Sequence, residues 1–389
     1  MRVLYSFPTR LGTSGIGTTA WHGVTGLTGI GVTVDVTAGS VERPADGATV
    51  RFESMRVGPL KLPYRALGLE RAMAYHDART ARLIARHADR YDVVHTWPQG
   101  AERTLRAARA AGVPAVLERP NAHTAFAAEA VLAETRRIGV PIDPSSPHLV
   151  EPARLEREER EYAAATALLC PSDFVARTHR EHGTPPEKLL RHRYGYDPAR
   201  FPVGPPRPPG RPFTAAFVGR MEPRKGLHTA LEAWIAAGLH ETDARFVAAG
   251  SIDAGYDVVL APLMREARVE HHGFHPDPGA LMREADVLVL PSVEEGSALV
   301  TYEARGSGCV LVVSDHSGAQ CTDGVDALVH PAGDVAALTA HLATLAGDPA
   351  RLAQLREASL AGIGDLTWEA AAHALAAAYA AAAKLQAQA

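Results

Sequence analysis

Glu295 and Glu303 stand eight residues apart in DVLVLPSVEEGSALVTYEARGSGCVLVVSD, residues 286–315. An apolar run of strand character, 287–290, enters a loop with Glu294 and Glu295. A helix-patterned stretch then carries Glu303, and a glycine turn leads to a second apolar run. The spacing puts Glu295 at the strand's C-terminal end and Glu303 about two turns into the helix. Carboxylates accept O–H bonds well, so this pair can hold two hydroxyl-rich groups. The N–H groups around Ser297 and Ala298 can meet a phosphate. A helix-capping Glu and a solvated Glu fit the same spacing. A second stretch, FVGRMEPRKGLHTALEAW (217–234), puts cations in the equivalent place: a strand ends at Val218, a loop carries Arg220, Arg224 and Lys225, and a helix begins near Gly226. Arg presents a planar fork to phosphate oxygens and Lys a point charge, in bonds worth roughly 1.5–3 kcal/mol each. A diphosphate clamp and a solvated basic turn both fit this loop.

Two further places could meet a ligand. LGTSGIGTTA (11–20) follows the apolar run 3–7, and Gly12, Gly15 and Gly17 let the backbone turn tightly beside an anion at a helix start. Gly15-x-Gly17-x-x-Ala20, with Asp35 twenty residues after Gly15, also fits a dinucleotide fingerprint. Residues 8–14 separate those glycines from the run, however, and Asp35 sits inside a strand pattern. His123 in VLERPNAHTAFA follows the run 115–117, and His95 ends the run 93–96; a strand end favours contact with a ligand. No ligand spacing among the histidines and no Asp-x-Asp pair suggests a metal.

The elements that must carry these residues alternate. Candidate strands are 3–7, 32–36, 49–53, 93–96, 115–117 and 167–170, then 215–218, 245–248, 269–271, 287–290 and 310–313. Most are apolar without polar alternation, as in strands covered on both faces. Helix-patterned stretches, among them 67–90, 227–237 and 338–346, separate them, so an α/β fold of parallel sheets is expected. The proline-rich PVGPPRPPGRP, 202–212, cannot continue a helix or a central strand and reads as a connector. It divides a first domain, 1–200, from a second, 213–367; the last helix, 368 to about 385, packs on the second or returns to the first.

Composition narrows the function. The chain has 389 residues, 46% apolar and 22% charged, as in soluble two- or three-domain proteins and unlike disordered, collagenous or disulfide-scaffold chains. A net charge of −4 gives no basic excess for nucleic acid. Residues 1–195 hold 26 basic and 21 acidic residues, leaving 14 and 23 for the rest. The positive first half suits an anionic partner, or simply reflects two independent surfaces. Residues 51–90 hold nine basic and four acidic residues, which reads first as a solvated helix face and second as a surface for an anionic acceptor or a lipid membrane. Three cysteines, Cys170, Cys309 and Cys321, fit reduced thiols in a cytoplasm. The N-terminus has no signal-peptide run, and the alanine-rich end, 370–383, is too short to span a bilayer.

Together these stretches resemble retaining glycosyltransferases of the GT-B fold, in particular family four, the group 1 glycosyl transferases. The likeness is strongest over 217–334. Glu295-Gly-Ser-Ala-Leu-Val-Thr-Tyr-Glu303 is similar to that family's E-G-F-G-L-V-x-x-E, and FVGRMEPRKG to its G-R-x-x-x-x-K-G. GVDALVHPAGD resembles the segment closing the family's second domain, and RHRYGYDPARF the strand and turn entering the connector. The resemblance implies two doubly wound, Rossmann-like domains facing a cleft, an acceptor-side domain followed by a donor-binding one. It implies hexosyl transfer from a UDP- or GDP-sugar, with retention, to a hydroxyl of a small molecule, glycan or lipid, without metal or other cofactor. Arg220 and Lys225 would then bind the donor diphosphate, Glu303 the ribose, and Glu295 the sugar hydroxyls. The loop and helix start Gly296, Ser297, Ala298, Leu299 and Val300 would surround the donor. His123 would touch the donor sugar, Gly15 and Gly17 would approach its phosphates, and Phe274 would lie near the nucleobase. Ser297 and Ala298 replace the family's Phe-Gly, Tyr194 replaces an Asn, and SGAQCTDG lacks a Glu the family carries there. Two other functions use only part of these features. An NAD-dependent oxidoreductase would use the glycines and Asp35 but leave the basic loop and paired glutamates idle. A non-catalytic sugar- or nucleotide-binding module would use the site without turnover.

Overall fold

The apolar runs become two parallel sheets, one in each of two packed units. The computed structural model describes residues 1–57, 60–62, 68–205, 208 and 210–388. Residue 67, at the start of one expected helix, residues 206, 207 and 209 of the expected connector, and residue 389 lie outside the described residues. Met1–Pro120, Val150–Tyr194 and the segment from Trp368 form the first unit; Asn121–Leu149 and Gly195–Thr367 form the second. Residues 121–149, assigned from sequence to the first domain, therefore pack with the second.

The first unit is built on seven strands in the order Thr49–Glu53, Thr33–Val41, Arg2–Leu11, Val93–Thr96, Ala115–Glu118, Ala167–Cys170, Leu189–Arg191. Each neighbouring pair is parallel. Its central strands Val93–Thr96 and Ala167–Cys170 are buried along their whole length, which explains why they lack the alternation of a strand with one solvated face. One face is covered by the helix Ile16–Gly29 and the last helix, Trp368–Gln388: Val24, Leu27, Leu375, Tyr379 and Ala382 join Val3, Tyr5 and Phe7 in one core. The other face packs Ile84, Leu105 and Tyr162 against Leu4, Val94 and Leu168.

The strand expected over 3–7 extends to Leu11, with a register break between Phe7 and Arg10. Gly12 thus follows the strand directly, and Gly15, with φ at +74°, begins the helix Ile16–Gly29. Asp35 corrects the dinucleotide reading. It lies fully buried within the strand Thr33–Val41, accepts from Arg51 Nε at 2.8 Å and from the Tyr91 hydroxyl at 2.9 Å, and so serves the core of the sheet. His95 is also structural: it stacks on Tyr5 at 4.2 Å and its Nδ1 meets the Tyr379 hydroxyl at 2.8 Å. Burial lowers its pKa to about 3 and keeps the ring neutral.

The second unit has six strands in the order Glu270–His271, Arg245–Ala249, Thr214–Val218, Val287–Leu290, Val310–Ser314, Ala327–His330, all parallel. Asp277, Asp334 and Asp348 each cap a helix here; Asp334 accepts from the Ala337 N–H at 2.9 Å and opens Val335–Gly347. No helix among the described residues is long and apolar enough to cross a membrane.

Candidate functional site

Thr214–Val218 and Val287–Leu290 are neighbours, paired as Ala215 with Val287, and each runs into a loop at its C-terminal end. Ligand-binding loops of parallel sheets gather at that end. The first loop turns through the 3-10 segment Pro223–Lys225 into the helix Leu227–Ala236. The second, 291–298, leads into Leu299–Ser307. Gly226 lets them meet: its φ is +70°, and a Cβ there would stand 2.4 Å from the Pro291 carbonyl oxygen. The Val293 N–H then donates to the Arg224 carbonyl at 2.9 Å.

The side chains between these loops form an ion cluster. Arg224 donates from Nη2 to Glu222 Oε1 at 2.8 Å and from Nη1 to the Glu294 carbonyl at 3.0 Å. Its Nη1 also lies 3.0 Å from Glu295 Oε2 and 3.4 Å from Glu294 Oε2. Lys225 Nζ pairs with the other Glu295 oxygen, Oε1. Burial alone would raise the Glu295 carboxyl, but Arg224 and Lys225 outweigh it and hold its pKa at about 2. Glu294 shifts the opposite way: burial raises it, against the pull of Arg224 and with help from the Glu295 charge. Glu294 has a second task. Its Oε1 accepts from the Ala122 N–H at 3.1 Å, which holds the segment before His123 against this loop. His123 is buried and caps the helix Thr124–Arg137, its Nδ1 accepting from the Ala125 N–H at 3.3 Å.

The other expected site residues fall in distinct surroundings. Arg220 and Lys225 have different partners: Arg220 Nε bonds to Asp253, and Arg220 lines a cavity of about 440 Å³ with Arg224, Pro141, Ile142 and Tyr256. Glu303 is half-buried on Leu299–Ser307 and its carboxylate has no hydrogen-bond or ion-pair partner among the described residues. Burial raises its pKa to about 7, with Arg200 opposing. Gly296, Ser297 and Ala298 are buried, and Leu299 and Val300 are half-buried. The Ser297 hydroxyl meets the Tyr302 hydroxyl at 2.7 Å and donates to the Gly318 carbonyl at 3.1 Å. The Ala298 N–H, expected to face a phosphate, donates to the Ser317 carbonyl at 3.3 Å instead. The next N–H groups, those of Leu299 and Val300, open the helix and have no partner within it. Phe274 stands beyond the edge strand with 87% of its surface exposed. Gly15 and Gly17 belong to the first unit. Among the described residues, no group of three or more His, Cys, Asp or Glu side chains is placed to hold a metal ion.

A family profile described as glycosyl transferases group 1 matches residues 212–348, and one described as a glycosyl transferase 4-like domain matches residues 14–195. A D-inositol 3-phosphate glycosyltransferase of Catenulispora acidiphila is 30% identical over 334 residues, 77% of this chain and 74% of its own length. The chain belongs to the group 1 glycosyl transferases. A putative colanic acid biosynthesis glycosyltransferase, WcaL of Salmonella typhimurium, is 30% identical over 184 residues, 44% of this chain; the chain spans 45% of that relative's length and 48% of a glycogen synthase of Mycobacterium tuberculosis. Among solved structures, Anabaena HepE in complex with UDP superposes with a TM-score of 0.64 at 15% identity, covering 97% of this chain and 99% of that one. A sucrose-phosphate synthase of Thermosynechococcus elongatus gives 0.68 at 18% identity, covering 98% of each chain. The fold of this glycosyl transferase is therefore GT-B, two Rossmann-like units with parallel sheets.

Within the family chain, the sequence singles out Glu295, Glu303, Arg220 and Lys225 and gives no site role to Arg224 or Glu294, which the structure brings into the cluster. The signal was two adjacent like charges in each loop, Arg224-Lys225 and Glu294-Glu295. Which member turns inward depends on the 3-10 turn and on Gly226. Chemically, the cluster sets two cations against three carboxylates, and a polyanion reaching Lys225 must compete with Glu295.

Proposed function

We propose that this protein moves a sugar from a nucleoside-diphosphate sugar, UDP- or GDP-linked, to a hydroxyl acceptor, retaining the anomeric configuration and using no metal. The observation that carries this reading is a cationic loop and Glu303, whose half-buried carboxylate has no partner among the described residues, both following neighbouring strands of one sheet. Breaking the sugar–diphosphate bond develops charge on the departing phosphate. Lys225 and Arg220, with the Leu299 and Val300 N–H groups, are the donors that would stabilise it. Glu303 would accept the ribose hydroxyls and Phe274 offer a ring to the base. Glu295 would hold sugar hydroxyls, with His123 beside the sugar. The sugar C1–O bond to the diphosphate breaks while C1 bonds to the acceptor oxygen on the same face, and the acceptor proton passes to the departing phosphate. HepE has been solved with UDP-glucose, which favours a uridine donor among the candidates. Glycan, lipid and small-molecule acceptors all meet the requirement of a free hydroxyl. We assign the protein to the cytoplasm, where its three free cysteines would remain reduced.

A screen of UDP- and GDP-sugars for nucleotide release, run with and without EDTA, tests the reading. One donor should be hydrolysed or transferred equally in both, and the product anomer read by NMR should match the donor. Loss of activity in EDTA would remove metal independence, an inverted product would remove retention, and no turnover of any donor would leave a binding module.

A further inference from the structure

Arg224 touches three carboxylates and is not needed to explain diphosphate binding by Lys225. Its side chain is only 17% exposed and those of Glu294 and Glu295 are 1% and 10% exposed, so the Arg224–glutamate contacts lie away from bulk water. Glu295 has two cationic partners, Lys225 on Oε1 and Arg224 on Oε2. A diphosphate that takes Lys225 removes one of them. A carboxylate left buried without a counter-charge is costly and takes up a proton instead. A protonated Glu295 would be a poorer acceptor for sugar hydroxyls.

We propose that Arg224 is the positioning residue that lets Lys225 leave Glu295 for the donor diphosphate while Glu295 stays ionised and aimed. The inference rests on the transferase reading and adds a hand-over of Lys225 to it. The anchoring of Arg224 supports this role. The Val293 N–H fixes its carbonyl, and Glu222 and the Glu294 carbonyl fix its guanidinium, so it stays in place when Lys225 moves. Glu294 shares the same Nη1 and ties the Ala122 N–H, so the guanidinium also keeps the His123 segment in register with the glutamate loop. Lys225, by contrast, pairs within the cluster with Glu295 alone among the described residues, and its flexible stem suits an exchange of partners.

The two ends of the exchange differ in protons, which gives a test independent of turnover. In the native protein Glu295 is ionised before and after binding, so a diphosphate brings no proton to it. In Arg224→Met, Glu295 is ionised while Lys225 holds it and protonated once Lys225 leaves, so binding takes up close to one proton. Calorimetric titration with UDP at pH 8, above the Glu303 pKa of about 7, in buffers of different ionisation enthalpy counts those protons. Wild type should take up near zero and Arg224→Met close to one, with UDP affinity in the variant falling up to tenfold per pH unit between pH 8 and 9. Adding Glu295→Gln to the variant should return the count to zero. Arg224→Gln, which fills the space with a neutral polar chain, gives the same readout if the Met variant does not fold. Equal proton counts in wild type and variants overturn the inference while leaving the transferase reading intact. Binding of UDP with the predicted counts but no turnover of any donor sinks the reading and keeps the hand-over. Failure of wild type to bind UDP, GDP or pyrophosphate overturns both.

Discussion

Glu303 gives the sharpest single-residue expectation. Its pKa is raised by burial to about 7, so near neutrality it is shared between its acid and its carboxylate. Only the carboxylate accepts two ribose hydroxyls without donating a proton of its own. UDP should therefore bind more tightly as pH rises through about 7 and level off above it, beyond the change due to the nucleotide's own phosphate. Glu303→Gln should lose that part of the profile and bind UDP roughly tenfold more weakly, the loss of about one charged hydrogen bond. Identical pH profiles for wild type and variant would remove Glu303 from the ribose. This site was partly legible in the sequence because both glutamates do follow the strand Val287–Leu290, but Glu295 stands in the loop beyond its end and Glu303 about one turn into Leu299–Ser307, where two turns were expected. The inward turn of Arg224 was not, because neighbouring residues in a short turn differ only through contacts made by distant chain, here the Glu294 carbonyl and the Pro291 carbonyl.

At the scale of elements, the central strands were legible as apolar runs because both faces are covered. Ala327–His330 and Leu189–Arg191, at the sheet edges, were missed. The strand Arg2–Leu11 outran its apolar core because it continues past a register break beside Thr33–Val41. The loop junction is where an element-scale change should reach the site. Gly226→Ala adds strain of about 1–2 kcal/mol for a left-handed residue and forces a Cβ into the Pro291 carbonyl. It should lower the melting temperature and also weaken UDP binding, because the Lys225 and Glu295 loops must separate. Gly238→Ala is the control: its φ is +68° but nothing stands within 4 Å of the added carbon. It should cost only the strain and leave UDP affinity unchanged. Equal effects of the two substitutions on affinity would show that the close approach at Gly226 does not position the site.

Over the whole molecule, the chain passes between its two units four times, at 120/121, 149/150, 194/195 and 367/368. Local pattern cannot show this. Residues 121–149 are ordinary helix and loop in sequence, and their place in the second unit depends on contacts such as Ala122 with Glu294. The last helix is equally non-local, since Leu375, Ala378, Tyr379 and Ala382 complete the core around Val3 and Tyr5. A chain ending at Thr367 should lose the folding of the first unit, because each large buried apolar side chain contributes about 1.5–3 kcal/mol and His95 loses its Tyr379 partner. Hydrogen exchange should then show amides of 1–120 unprotected while strands of 214–330 stay protected; protection unchanged in both would contradict this view of the core. The central claim concerns one ligand in the second unit, and a crystal structure with UDP bound tests it most directly. The diphosphate should lie on Lys225, drawn away from Glu295, with the ribose hydroxyls on Glu303 and Arg224 still on Glu295. UDP seated elsewhere, or a diphosphate that leaves the Lys225–Glu295 pair closed, would contradict it.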